Sequence, residues 1–237
     1  MNRAGIRILS AAVALVACAA VAAPPAKKPA KAAAEKGPKV VIEQFPKCGR
    51  QSTLAAPAVG GASIVGNCWT GKPRKWIVLE AKYTTEDKWL DQLTFTWHVM
   101  LDTKTATAKD KDDRENIPPY SYFTTTVTYY NIPRGSHAAS VCLPPSYLER
   151  FGEAKAVGVV IADKNGNVVA GDCESEIKGI ASHPKDTKAA FWNDQKVMNA
   201  EDKTSGEPLV ERRQGLLDRS KTIWALVNPN DYETVVQ

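Results

Sequence analysis

A twelve-residue stretch, Leu90–Leu101 (LDQLTFTWHVML), carries an apolar side chain at nearly every second position. A β-strand turns alternate side chains to opposite faces, so this pattern predicts a strand with one buried face. β-Branched and aromatic residues also fit a pleated surface well. The side chains predicted to be buried are Leu93, Phe95, Trp97, Val99 and Leu101.

Similar patterns recur between residues 40 and 176, and most are separated by short turns. Asn165-Gly166 is the strongest hairpin signal. No helix long enough for a parallel crossover lies between the strands, so we predict an antiparallel, immunoglobulin-like β-sandwich over residues 40–178, with a barrel as the alternative. The other predicted strands are Val40–Phe45, Ser63–Trp69, Trp76–Thr84, Tyr120–Ile132, Ser136–Leu143, Ala156–Ala162 and Asn167–Glu174.

The composition changes near Gly179. Helix-forming residues fill Thr187–Asp202, and farther on apolar residues recur at intervals of seven. These spacings favour a helical extension over residues 179–237 that docks on the sandwich. Its predicted docking side chains are Phe191, Trp192 and Trp224. A loosely packed tail is the alternative.

The first residues have the layout of a secretory signal, which we place at residues 1–22. Arg3 and Arg7 precede a short apolar run, Ile8–Val16, and small residues follow it. Ala20-Val21-Ala22 fits an ordinary cleavage site. Leu15-Val16-Ala17-Cys18 instead resembles a bacterial lipobox, in which Cys18 would receive lipid. Both alternatives predict export, to the periplasm, the outer membrane or the cell surface, and the lipobox adds a membrane anchor.

Residues 23–39 form a segment rich in lysine, alanine and proline, which is typical of a solvated linker. The formal net charge of the chain is +5, but residues 1–39 contribute +6, which leaves the remainder near −1. A nearly neutral body gives no electrostatic basis for nucleic-acid binding. The basic linker itself suits a spacer, or a contact with anionic lipid or polysaccharide.

Four cysteines follow the leader: Cys48, Cys68, Cys142 and Cys173. An even number in an exported chain indicates two disulfides. We predict the pairs Cys48–Cys68 and Cys142–Cys173, because each pair encloses a local group of strands. No Cys-x-x-Cys motif occurs, and no histidine lies at ligand spacing from a cysteine, so no metal site is predicted.

The sequence contains no nucleophile elbow, zinc-protease motif, phosphate-binding loop or dinucleotide fingerprint. The acidic cluster Asp110–Glu115 lacks the ligand positions of a calcium loop. His98, His137 and His183 are far apart in the sequence, which favours structural or surface roles. We therefore predict no catalytic residue and no cofactor.

Aromatic residues are frequent in the strand region. Flat aromatic faces can stack on sugar rings, although large aromatics in strands usually fill the core. Trp76 and Tyr130 lie opposite the more apolar face of their strands. These two are the predicted candidates for binding a glycan or a partner.

Two long segments, Lys75–Asp102 and Tyr120–Gly152, together with the leader and linker, are similar to exported, type IV pilus-associated, immunoglobulin-like proteins of mucin-degrading gut Verrucomicrobia. The resemblance covers residues 75–175. It implies an immunoglobulin-like fold, a surface or outer-membrane location, and a part in pilus formation or adhesion. It brings no catalytic residues. Pilins begin with a long apolar helix, whereas Pro24, Pro25 and lysines stand here, which favours an accessory protein over a filament subunit.

The predicted function is therefore a non-enzymatic, exported cell-envelope protein accessory to type IV pilus-like assembly or to surface adhesion. Its expected partners are envelope or pilus proteins, contacted through sheet edges and the C-terminal extension. A glycan-binding module is the alternative. An enzyme would require an open cleft with two carboxylates or a histidine–carboxylate pair.

Overall fold

Two unusually long strands build the framework of the protein. The computed structural model describes residues 37–56, 74–107, 117–184, 187–226 and 233–234. The long strands are β3 (Lys75–Asp102) and β4 (Tyr120–Leu143), and they pair antiparallel along almost their whole length. The remaining strands are β1 (Val40–Gln44), β2 (Thr53–Ala55), β5 (Glu153–Asp163), β6 (Val168–Ser175), β7 (Val210–Arg213), β8 (Leu217–Asp218) and β9 (Glu233–Thr234).

All described strands belong to one sheet, whose main path runs β6-β5-β3-β4-β7. β1 and β2 pair with the first half of β3, and β5 pairs with its second half. β8 pairs with the last part of β4, β7 with its first part and β9 with its middle. Only the β4–β7 pairing is parallel.

The β3–β4 hairpin bends at an irregularity between Thr85 and Trp89. Tyr83 and Phe95 lie on either side of this bend, and their ring centroids are 5.0 Å apart. A straight strand would hold residues twelve positions apart at about 40 Å. The two halves of the hairpin therefore fold back on each other, and we call them the first layer (residues 75–85 of β3) and the second layer (residues 90–102).

The core lies between these layers. From Ile77 to Tyr83 and from Leu93 to Leu101, the odd-numbered residues of β3 face inward and are fully buried, as the alternation predicts. Phe95 and Trp97 are inaccessible to solvent. The predicted β-sandwich is thus confirmed. The core side chains contributed by β3 are Ile77, Leu79, Ala81, Tyr83, Leu93, Phe95, Trp97, Val99 and Leu101.

The predicted strand boundaries differ at the bend. Trp76–Thr84 and Leu90–Leu101 are parts of the single strand β3, and Tyr120–Ile132 and Ser136–Leu143 are parts of β4. The charged residues between the first two segments interrupt the hydrophobic alternation but not the strand. Predicted strand Ser63–Trp69 lies outside the described residues.

The predicted Asn-Gly turn agrees with the structure. At the Asn-Gly turn the Asp163 amide donates to Asn167 and the Gly166 amide to Asp163, and Gly166 has a φ of +82°. The turn between β4 and β5 is a short helix, α1 (Pro145–Phe151). Leu148 and Phe151 of α1 close one end of the core.

The C-terminal extension docks on the sandwich, but only a small part of it is helical. Its described residues contain one four-residue helix, α2 (Gln195–Met198), three 3₁₀ turns (Thr187–Ala189, Arg219–Lys221 and Ile223–Leu226), and strands that join the sheet. Phe191 is buried and Trp192 stacks on a side chain of β3, as predicted. Trp224 is half-buried. The spacing of apolar residues by seven does not mark a continuous helix: Val210 and Leu216 are buried, whereas Ile223 is 40% exposed.

The extension covers a second apolar cluster on the outer side of the second layer, here called the outer cluster. Met100 of β3 and Tyr122 of β4 supply part of it, and Phe191 and Met198 pack on them from the extension. Burying a side chain such as Phe191 contributes roughly 1.5–3 kcal/mol. The outer cluster is completed by Ala156, Cys173, Ala190 and Val210.

The leader, its cleavage site, Cys18 and nearly all of the linker lie outside the described residues. The acidic cluster Asp110–Glu115 lies outside them too. Of the helices that the structure describes, none is long and apolar enough to cross a membrane.

Candidate binding surfaces

The two predicted aromatic candidates lie on different sides of the molecule. Trp76 pairs with Leu54 in the first layer, whereas Tyr130 pairs with Gln92 in the second. Both occupy even-numbered positions that face away from the core, and both are half-buried. Because the layers pack face to face, their outer surfaces point in opposite directions. Trp76 and Tyr130 therefore cannot belong to one binding site.

Tyr130 borders a row of hydroxyl-bearing side chains on the outer surface of the second layer. Pairs of threonines face each other across β3 and β4: the Oγ1 atoms of Thr94 and Thr128 are 3.4 Å apart. Gln92 donates from Nε2 to Thr94 Oγ1 at 3.2 Å. Such a surface offers regularly spaced donors and acceptors beside one aromatic ring. We call it the threonine face, and it consists of Gln92, Thr94, Thr96, Thr126, Thr128 and Tyr130.

Trp89 is the most exposed large apolar side chain in the described part of the chain, at 61%. It lies at the bend of the hairpin, opposite Pro133 of β4. The sequence places Trp89 among the aromatics but does not single it out, because it falls where the alternation is interrupted. Exposed tryptophan is costly to leave in water and is enriched in protein interfaces.

His98 is buried, although it lies on the outer side of its strand. Its ring stacks on Trp192 of the extension, with centroids 4.2 Å apart and planes 4° from parallel. Nδ1 of His98 and the hydroxyl of Tyr122 are 2.6 Å apart. Burial lowers the pKa of His98 to about 4, so the imidazole is neutral at ordinary pH. The geometry makes His98 a docking contact for the extension.

The structure joins His183 to a carboxylate that the sequence does not reveal. Nδ1 of His183 is 2.9 Å from Oδ2 of Asp172, at the surface, with the imidazole side chain 59% exposed. Among the described side chains, no nucleophile is hydrogen-bonded to this pair. It forms an exposed hydrogen-bonded pair rather than a catalytic cleft. His137 is elsewhere, with Nε2 2.7 Å from the carbonyl oxygen of Pro133.

The structure contradicts the predicted Cys142–Cys173 disulfide, because both thiols are free and buried. Cys142 faces outward from the first layer, in the part of β4 that pairs with β8, while Cys173 lies in the outer cluster on the second layer. A disulfide needs Cα atoms about 4.4–6.8 Å apart, and two stacked sheets alone are about 10 Å apart. Cys48 is likewise a free thiol, and its predicted partner Cys68 lies outside the described residues.

Metal ligands are not gathered in the described part of the molecule. No group of three or more histidine, cysteine, aspartate or glutamate side chains is placed there to hold an ion.

The fold, with its long bent hairpin and docked extension, can be compared with known proteins. A protein-family model matches residues 50–235, which includes both layers and most of the extension. The chain belongs to that family. The family is not a known family of enzymes.

A solved structure from Akkermansia muciniphila, a member of the Verrucomicrobia, has a similar fold. It aligns with a TM-score of 0.55 at 20% sequence identity, over 84% of this chain and 94% of the Akkermansia chain. The likeness agrees with the resemblance to verrucomicrobial proteins and concerns the fold. A β-glucosidase of glycoside hydrolase family 3 from Bifidobacterium adolescentis aligns at 11% identity and a TM-score of 0.24, over 73% of this chain and 21% of the enzyme, which is too weak to support an argument. Comparison with curated protein sequences gives no match.

Proposed function

We propose that the protein is a non-enzymatic, exported component of the cell envelope that acts by binding other envelope proteins, as an accessory to type IV pilus-like assembly or surface adhesion. The resemblance of the leader, Lys75–Asp102 and Tyr120–Gly152 to verrucomicrobial pilus-associated proteins carries this proposal, and the similar fold over 94% of the Akkermansia muciniphila chain is consistent with it. The leader-like first residues and the family match support it.

The open edge of β6 suits a protein partner. Among the described strands, β6 pairs only with β5. Residues 181–183 cover the end of its free edge, where the His183 amide donates to the Cys173 carbonyl and Ser182 bonds to the backbone of Ser175. At the beginning of the strand no described residue forms a backbone hydrogen bond to the free edge, and Val168 there is 57% exposed. An extended segment of a partner can add to such an edge.

Site-specific cross-linking in cells tests this function. A photoreactive amino acid placed at Val168 or at Trp89 should capture the same envelope or pilus-like protein from intact cells. Lys203, exposed in a turn of the extension, is the matched control position. Capture of no envelope protein from either position, or equal capture from Lys203, would contradict the proposal.

The threonine face supports a second candidate, a glycan-binding module. Its hydroxyl groups and the ring of Tyr130 supply the hydrogen bonds and the stacking surface that a sugar chain uses. Glycan-array binding that is lost in Tyr130→Ala and kept in Trp76→Ala would support it, since Trp76 lies on the opposite outer surface. Absence of binding, or binding indifferent to Tyr130→Ala, would remove this candidate.

A further inference from the structure

A polar pocket of about 380 Å³ lies between α1 and β7, at one end of the sandwich. Its volume is within the range of small-ligand pockets, roughly 300–1,000 Å³. α1 contributes Ser146, Tyr147, Arg150 and Phe151, and the segment from β7 onward contributes Glu211, Arg212, Arg213 and Gln214. We call it the arginine pocket.

Arg213 is held in a fixed position in the wall of this pocket. Its Nε donates to the hydroxyl of Ser121 at 3.1 Å, and its Nη2 pairs with Glu211. The guanidinium also lies 4.6 Å from the ring centroid of Phe151. These contacts orient the planar group before any ligand arrives, which lowers the entropic cost of binding.

Arg150 approaches the same ring from α1 and carries an unneutralised charge. Its guanidinium carbon is 5.3 Å from the centroid of Phe151, and the side chain is exposed. The adjacent carboxylate, Glu149, is engaged by Arg74, which donates to both carboxylate oxygens at 2.9 Å. Within the described residues, Arg150 therefore has no carboxylate partner.

The charge balance of the pocket is positive. Arg150 and Arg213 lie beside the same ring with a single lining carboxylate, Glu211, which pairs with Arg213. Arg212 also lines the pocket, but its charge lies near Tyr122 on the outer side of the sheet. Residues 40–237 together carry a formal charge near −1, so this concentration of arginine is local and not a consequence of a basic surface. Two guanidinium groups beside one aromatic ring are suited to a planar or tetrahedral anion, because their donors match its oxygens in pairs.

The rest of the lining indicates what carries that anion. The hydroxyl of Ser146 and the side-chain amide of Gln214 can exchange hydrogen bonds with hydroxyl groups. Tyr147, whose hydroxyl donates to the carbonyl of Gln214 at 3.2 Å, adds an aromatic wall. We propose that the arginine pocket binds an acidic sugar unit, a single ring that bears a carboxylate or a sulfate. This site is separate from the threonine face and from the edge of β6, and it goes beyond the proposed function.

The experiment measures binding of the purified protein to four probes by calorimetry: a glucuronate-containing disaccharide, a sulfated disaccharide, the neutral parent disaccharide, and a short acidic peptide. We expect binding of one or both acidic sugars, and at least tenfold weaker binding of the neutral sugar and of the peptide. Raising the salt concentration from 50 to 500 mM should weaken the binding severalfold.

Arg150→Gln should weaken binding of the acidic sugar about tenfold or more, since it removes one charge-assisted contact. Arg150 is exposed and outside the core, so the melting temperature should change little. The matched control is Arg134→Gln, which removes an exposed arginine of β4 near the bend, at the end of the sandwich opposite the pocket. Binding that is unaffected by Arg150→Gln, equal for neutral and acidic sugars, or stronger for the acidic peptide would overturn the proposal.

Discussion

At the scale of single residues, the side chains that face the core follow from the sequence, whereas the neighbours of outward-facing side chains do not. Phe95 and Trp97 are predicted to be buried by simple alternation, and both are. His98, next in the chain, belongs to the predicted outer surface, yet Trp192 covers it. Trp192 is nearly a hundred positions away, and periodicity within one strand carries no information about such a partner.

From the burial of His98 we predict that the folded protein loses stability in acid. Its pKa is near 4 in the folded protein, below the usual 6.5, because burial disfavours the charged imidazole. Its neighbours are the Tyr122 hydroxyl and the Trp192 ring; burial raises the pKa of the Tyr122 phenol, and the nearby Arg212 charge only partly opposes that shift. As the pH falls from 6.5 to 4, His98 binds a proton in the unfolded chain but stays largely neutral in the folded protein. The free energy of unfolding should decrease by about 3 kcal/mol over that window.

Denaturant unfolding measured at several pH values checks this. His98→Gln should flatten the decrease between pH 6.5 and 4. An equally steep decrease in His98→Gln would mean that other groups cause the acid sensitivity.

The buried thiols give a second prediction at this scale. Burial raises the pKa of Cys142 to about 12 and that of Cys173 to about 11, so both are protonated and unreactive at neutral pH. Iodoacetamide should label neither residue in the native protein and both in denaturant without a reductant, as read by peptide mass spectrometry. Detection of a peptide pair linked through Cys142 and Cys173 would contradict the structure.

At the scale of elements, the short turn and the small helix α1 are predictable from local chemistry, but the character of the extension is not. Its helix-forming composition predicts a helical segment, yet contacts with the sheet override that propensity and leave only α2 and short 3₁₀ turns. The arginine pocket cannot be predicted from the sequence either, because α1 and β7 are far apart in the chain and come together only in the folded protein. An Arg-Phe pair followed far along the chain by Glu-Arg-Arg is too common to indicate a site.

The close contact between Gly158 of β5 and Trp192 leads to a prediction about the docking of the extension. A Cβ atom at this position would lie 2.0 Å from Trp192, so only glycine lets the indole lie flat against the strand. Gly158→Ala should displace Trp192, lower the free energy of unfolding by about 1–3 kcal/mol and change the tryptophan fluorescence. Gly37→Ala is the matched control, because its added methyl group meets only an ordinary contact at 3.9 Å from Val169. Identical fluorescence and stability for Gly158→Ala and the unmodified protein would refute this docking geometry.

At the scale of the whole molecule, a two-layer β fold is predictable because many short alternating patterns lie close together without long helices between them. The path of the chain through the layers is not. Glu86, Asp87 and Lys88 separate two alternating segments in the sequence, as they would between two independent strands. In the structure the backbone continues through them, and β3 and β4 each contribute to both layers.

The contact between the layers predicts unequal effects for two aromatic residues of β3. Phe95 is fully buried between Tyr83 of the first layer and Tyr129 of the second, whereas Trp89 is exposed at the bend. Phe95→Ala should lower the free energy of unfolding by about 3–5 kcal/mol, and Trp89→Ala by less than about 0.5 kcal/mol. Chemical denaturation of both variants measures the difference. Similar losses in the two variants would argue against face-to-face packing of the layers.

The continuous hairpin also links the alignment of one layer to that of the other. If β4 slipped by a single residue against β3, its inward and outward side chains would exchange places on both sides of the bend together. A single shift in the pairing would thus expose the apolar side chains of both layers. The burial of both sets therefore favours the correct pairing. A shift in the pairing of one half of the hairpin could end at the irregularity between Thr85 and Trp89 and leave the other half unchanged. An insertion or deletion there should therefore be tolerated better than one at Leu79 or Trp97.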